Sequence, residues 1–126
     1  MSELPRPTDA ELEILTVLWS RGPSTVREVH EILARKRAAQ YTTTLKLLQI
    51  MAEKRLVTRD EAQRAHIYSA SRPRELTQRQ LAKDLLDRAF AGSAAEMLMG
   101  ALAGRKASKK ELAEIRRLLD EQEEEQ

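Results

Sequence analysis

The chain has 126 residues, 22 Lys/Arg against 20 Asp/Glu, a formal charge of +2 and no cysteine. That length suits one compact domain or a small domain with an appendage, and the lack of cysteine excludes disulfides, zinc ribbons, thiolate copper sites and cysteine nucleophiles. No apolar run approaches a membrane span, and the opening Met1-Ser2-Glu3-Leu4-Pro5-Arg6-Pro7 lacks the apolar core of a signal peptide, so the expectation is a cytoplasmic protein without membrane insertion. The charge is unevenly spread. Arg35 to Arg72 holds nine Lys/Arg and three acids, a local +6 that leaves the rest of the chain at −4. A basic centre with acidic flanks suits a polyanion-binding face on a soluble protein.

Four pairs, Thr8/Glu11, Thr25/Glu28, Ser93/Glu96 and Ser108/Glu111, have the spacing of a capping box, in which a hydroxyl and a carboxylate satisfy each other's free backbone N–H groups. Each precedes a run of helical apolar spacing and marks a helix start. The first helix is predicted from about Asp9 to Ser20, burying Leu12, Leu15, Leu18 and Trp19 with Ile14 at the margin, and is stopped by Arg21-Gly22-Pro23. The second starts at Thr25, buries Val26, Val29 and Leu33, and ends in Arg35-Lys36-Arg37. The third runs from about Thr42 to Lys54, with Leu45, Leu48, Met51 and Ala52 inward and Leu47 and Ile50 widening the apolar face. Leu56-Val57 and Ala65-Ile67-Tyr68 supply two short strands around a polar turn, with Arg64 near the tip and Tyr68 in the core. Pro73 marks a boundary.

Beyond it the pattern is helical: about Arg74 to Ala91, then a break at Gly92, a short helix capped by Ser93, a loop at Gly104-Arg105-Lys106-Ala107, and a last helix capped by Ser108 whose acidic tail, Glu121 to Gln126, frays. These helices enclose little volume by themselves, and chains this small often oligomerise to bury their apolar faces. The fold class expected is therefore mainly α with a small β-hairpin wing: a winged helix-turn-helix over residues 1–72 and a helical dimerisation region over residues 73–126, with Leu81, Leu85, Phe90, Met97, Leu98, Leu102, Leu112, Ile115 and Leu119 joining two copies.

In a helix-turn-helix the N-terminal part of the second helix of the unit meets base edges while its backbone N–H groups face phosphate. Here those positions are Thr42, Thr43, Thr44, Lys46 and Gln49. A threonine can hydrogen-bond a base and pack its methyl on thymine, and glutamine can pair with adenine. Thr42 also reads as the helix N-cap, and Tyr41 as a hydrophobic staple. Arg64, and more weakly Arg59 and His66, would reach the duplex from the wing. The expected partners are double-stranded operator DNA and a second copy of the chain. No cofactor or metal site is expected. The two histidines, His30 and His66, have no metal-ligand spacing, and no phosphate loop or nucleophile signature supports an enzyme. Two other readings stay open: a winged-helix regulator gated by a small molecule, and a helical dimer whose winged helix binds protein.

Taken in order, Thr8-Asp9-Ala10-Glu11-Leu12-Glu13-Ile14-Leu15 with Leu18-Trp19, Thr25-Val26-Arg27-Glu28-Val29, Tyr41-Thr42-Thr43-Thr44-Leu45, Glu53-Lys54-Arg55-Leu56-Val57, Arg64-Ala65-His66-Ile67-Tyr68 and Phe90-Ala91-Gly92-Ser93 resemble the penicillinase-repressor family of winged-helix regulators, also called the BlaI/MecI/CopY family. The resemblance implies a bacterial repressor that binds a palindromic operator as a dimer, with the family's DNA contacts falling on Thr43, Thr44, Lys46 and Arg64. Copper-sensing members carry a cysteine-rich C-terminal motif that this chain lacks. Members released by a membrane sensor protease are cut at an Asn-Phe bond in the short C-terminal helix; the matching pair here is Gly100-Ala101, a departure from that bond. The family's usual glycines after the third helix and in the wing turn are replaced by Arg55 and Gln63, which predicts a slightly altered wing geometry.

Overall fold

The computed structural model describes residues 5–126; Met1 to Leu4, part of the segment read for a signal peptide, lie outside the described residues. The described chain forms α1 (Asp9–Arg21), α2 (Val26–Lys36), α3 (Tyr41–Glu53), β1 (Val57–Asp60), β2 (Ile67–Ala70), α4 (Arg74–Ala89), α5 (Ala94–Leu102) and α6 (Lys109–Glu124). This is the mainly helical chain with one antiparallel hairpin that the sequence predicts. It divides into two compact units, one ending at Ala82 and one running from Lys83 to Gln126.

In the first unit, α1, α2 and α3 close around Ile14, Leu15, Val17, Leu18, Val29, Leu33, Leu48 and Met51, with Leu56, Val57 and Tyr68 added from the wing. The register of α1 differs from the predicted stripe. Ile14 is fully buried, Val17 joins it, and Leu12 and Trp19 are only partly covered. The cause is Glu11, a carboxylate 1 % exposed, which shares the inner face with Ile14, Leu15 and Leu18 at helical spacing. Trp19 lies against the core and donates its indole N–H to the Arg72 carbonyl at 3.0 Å, with Arg74 packed 6.0 Å from the ring centroid.

Both early capping boxes are reciprocal. The Thr8 and Thr25 hydroxyls accept from the Glu11 and Glu28 backbone N–H, and the two carboxylates accept from the Thr8 and Thr25 N–H. Ser93 and Ser108 make the hydroxyl half of the exchange, and the Glu111 carboxylate turns to Arg105. Gly22 ends α1 at φ 97°, the conformation for which a glycine was expected there. α3 starts one residue earlier than predicted. Gln40 is its N-cap and makes no side-chain cap, so Thr42 lies inside the first turn and is not the cap. The α3 terminus is a Schellman turn: Leu56 N–H bonds the Met51 carbonyl at 2.9 Å and Arg55 N–H the Ala52 carbonyl at 3.1 Å. Its left-handed position is filled by Arg55 at φ 67°. The turn is therefore kept without the usual glycine, at a cost of about 1–2 kcal/mol for the crowded Cβ.

The wing strands lie further along the chain than expected, β1 running on to Asp60 and β2 running from Ile67 to Ala70. Thr58 to Asp60, read as turn, pair with Ile67 to Ser69, and Ala65 belongs to the tip. Their side chains are mostly polar, so the apolar pattern that locates strands misses them, while the ladder satisfies their backbones regardless. Asp60 Oδ1 accepts Ala62 N–H at 2.9 Å and closes the tip. A third contribution comes from the α1–α2 turn. Ser24 and Tyr68 exchange two backbone hydrogen bonds at 3.0 and 2.8 Å, which makes β2 the middle of the sheet.

In the second unit, α4 ends two residues before the predicted point, and Ala91 and Gly92, both at positive φ, lead into α5. The last helix continues to Glu124, into the acidic tail; adding a residue of good helix propensity to a formed helix needs no new nucleus. No side chain between Lys83 and Gln126 is buried, and Leu85, Met99, Leu118 and Leu119 are about half exposed or more.

Burial alone would raise the Glu11 carboxyl, but the Lys54 ammonium at 2.8 Å and the Thr8 backbone N–H outweigh it and hold the group below its ordinary value of 4.5. The pair joins the start of α1 to the end of α3. Because the folded group titrates below the unfolded one, its contribution is complete above pH 4.5 and disappears as pH falls through the lower folded value. Lys54→Met would leave the buried carboxylate without its cation, so urea unfolding at pH 7 should show a loss of about 1–3 kcal/mol, whereas Glu11→Gln, which keeps a capping side chain, should lose less and flatten the acid side of the stability profile.

Candidate nucleic-acid interface

α3 carries two opposed faces. Thr44, Leu48 and Met51, spaced i, i+4 and i+7, are buried. Thr42, Lys46 and Gln49, with the same spacing, are exposed, and Thr43 lies exposed beside them. A 13-residue helix is about 20 Å long and narrow enough for a major groove about 12 Å wide. Its only acid is Glu53, in the last turn.

Thr44 differs from the sequence expectation. It is 2 % exposed, and its hydroxyl lies 3.2 Å from His30 Nδ1. A side chain so enclosed is not part of the exposed face of α3, and reaching a base edge would require the core to repack. The helical spacing with Leu48 and Met51 already carries that signal, but the run of three threonines hides it. Tyr41 is not a buried staple either. It is 41 % exposed, its ring meets the His30 ring edge-on at 5.6 Å, and the Arg27 guanidinium lies 5.8 Å from its centroid.

Between α3, the start of α2 and the wing runs an open groove of about 500 Å³. Thr25, Arg27, Tyr41, Gln49, Arg59, Arg64 and His66 contribute to its walls, and no acidic residue does. The structure thus brings together the expected Gln49, Arg59, Arg64 and His66. Thr42, Thr43 and Lys46 lie on the same helix but are not among the groove residues. Arg27 is a groove residue that the sequence reading does not single out as a contact; its signal in the sequence is its place two residues after the Thr25 cap, in the first turn of a helix.

The wing's cations are not equivalent. Arg59 faces Tyr68 across the ladder. The hydrogen bond to the Tyr68 hydroxyl, then the Glu61 carboxylate, hold its guanidinium above the ordinary value. Glu61 is 3.6 Å from Arg59 and 3.9 Å from His66. Arg64, at the exposed tip, has no ion-pair partner among the described residues. A guanidinium whose charge is not already paired is the one with most to gain from a phosphate. Among the described residues there is no grouping of His, Asp or Glu able to hold a metal, and no helix is long and apolar enough to cross a membrane.

The family model described as penicillinase repressor matches residues 7–121. Two curated relatives, each called transcriptional regulator BlaI and from the CDC 1551 / Oshkosh and H37Rv strains of Mycobacterium tuberculosis, are 44 % identical over 70 residues, 55 % of this chain and 51 % of theirs. The chain thus spans about half the length of the curated relatives it matches.

Burial separates the roles of adjacent threonines. Thr44→Val should cost about 1 kcal/mol of stability in chemical denaturation and leave DNA sequence preference unaltered. Thr43→Val should do the reverse, with normal unfolding and a changed ratio of affinities for single-base variants of a preferred duplex.

Proposed function

We propose, from the premise that the chain belongs to the penicillinase repressor family, a family of transcription regulators and not of enzymes, that this protein is a repressor that binds a palindromic operator as a homodimer and blocks promoter access. The observation that carries the reading is the groove walled by Arg27, Arg59 and Arg64 without an acid, beside the exposed Thr42–Lys46–Gln49 face of α3. In this reading α3 enters the major groove. Thr43 and Gln49 meet base edges, Lys46 and Arg64 meet phosphates, and Thr42 offers its hydroxyl to the backbone at the helix start. Arg59 and His66 play a lesser part, because Glu61 already engages them.

The dimer is supported by the lack of any buried side chain from Lys83 onward. Leu85, Phe90, Met97, Leu98, Leu102, Leu112, Ile115 and Leu119 of that unit would be covered by the same residues of a second copy, together with Leu81 at the end of the first. The functional division is then a DNA-binding part over 1–72 and a dimerising part over 73–126, working in the cytoplasm. Gly100 and Ala101 are exposed on α5, but the pair lacks the side chains of the Asn-Phe bond cut in relatives, so release by a sensor protease would need a different bond, or a different signal would act.

Two-fold symmetry places half-sites about one helical turn, 10–10.5 bp, apart between centres. Selection from a random duplex library at near-physiological salt should enrich a palindrome of that spacing. A folded protein that enriches nothing would count against the repressor reading. Arg64→Ala should weaken binding to all sequences and lower the salt slope by about one unit. An unchanged slope would remove Arg64 from the phosphate contacts.

A further inference from the structure

Of the three arginines that line the groove, Arg27 is the one held against an aromatic ring. It sits in the first turn of α2, is exposed, and has no ion-pair partner among the described residues. Its guanidinium instead rests 5.8 Å from the centroid of Tyr41, the first residue of α3. Tyr41 is in turn placed by the His30 ring, which meets it at 80°, and His30 is tied through Nδ1 to the buried Thr44 hydroxyl. A chain of contacts therefore runs from the core of α3 to an exposed cation on the helical wall of the groove, while Arg64 and Arg59 stand on its wing wall. Arginine stacked on an aromatic face keeps its N–H edge free, loses little further entropy when it binds, and is the side chain best matched to phosphate oxygens.

We propose that Arg27, stacked on Tyr41, is a pre-set phosphate clamp that grips the DNA backbone from the helical side of the groove, opposite the wing. The clamp rests on the DNA-binding reading above and extends it. Arg27 is the contacting group, and Tyr41 is a positioning residue that acts through it. The arrangement makes the grip two-sided: α3 is held in register by cations on both walls, so that base contacts need not supply the affinity.

The test is the salt dependence of binding to a short random-sequence duplex and to a selected sequence, with thermal unfolding as the control for folding. Arg27→Ala should weaken binding to both duplexes roughly tenfold and lower the salt slope by about one unit. Tyr41→Ala should cost about threefold, the value of an exposed cation–π contact, and nothing further when Arg27 is already alanine. Tyr41→Phe keeps the ring and should bind as the parent does. A loss in Tyr41→Phe equal to that in Tyr41→Ala would overturn the stacking role, and an unchanged slope in Arg27→Ala would overturn the clamp. A parent protein without salt-dependent affinity would overturn the DNA-binding reading itself, so the two failures are distinguishable.

Discussion

The wing is placed by one residue. Tyr68 exchanges two backbone hydrogen bonds with Ser24 in the α1–α2 turn, buries its side chain in the core and faces Arg59 across the ladder. An isolated two-stranded hairpin is marginal in water. Here the hairpin gains a third partner and an aromatic anchor at the same position. That fixes the distance from the wing tip to α3, and with it the width of the basic groove. Ser24 is prepared for the task by its own bonds, donating to the Gly22 carbonyl and accepting from Arg21.

A second constraint sets the other end of α3. Glu11 is a cap, a core residue and an ion-pair partner together: its carboxylate receives Thr8 N–H and the Lys54 ammonium. A buried carboxylate is costly without such partners. With them it dictates that the last turn of α3 lies against the first turn of α1. Tyr68 positions the wing and Glu11 positions the helix, and the exposed Thr42–Lys46–Gln49 face is what remains facing outward.

Much of this was legible in the residues. The four hydroxyl–glutamate pairs locate four helix starts because capping is a local interaction with a fixed spacing. Gly22, at positive φ, marks the end of α1 for the same reason. The start of α3 was missed by one residue because Gln40 caps without a side-chain bond and leaves no signature. The burial of Glu11 was missed because hydrophobic periodicity has no means of recognising a polar group whose partner lies far away in sequence; Lys54 is 43 residues from Glu11. Thr58 to Asp60 escaped as strand for a related reason, since a ladder with an exposed polar face owes its existence to backbone pairing more than to its side chains. Within the candidate site, residue types were readable and orientation was not. Three adjacent threonines look alike in sequence, and only the fold directs one of them to His30. Arg27 gained its importance only when the fold set it over Tyr41.

The second unit, from Lys83 onward, has helices held together by side chains that all remain at least partly open to solvent. Segments with few buried contacts open at small free-energy cost, and cleavage by proteases follows the population of the opened form. A copy of the chain with nothing covering this unit is therefore the copy most readily destroyed. A second copy covering the unit, as proposed, would lower the population of that open form and so slow its cleavage.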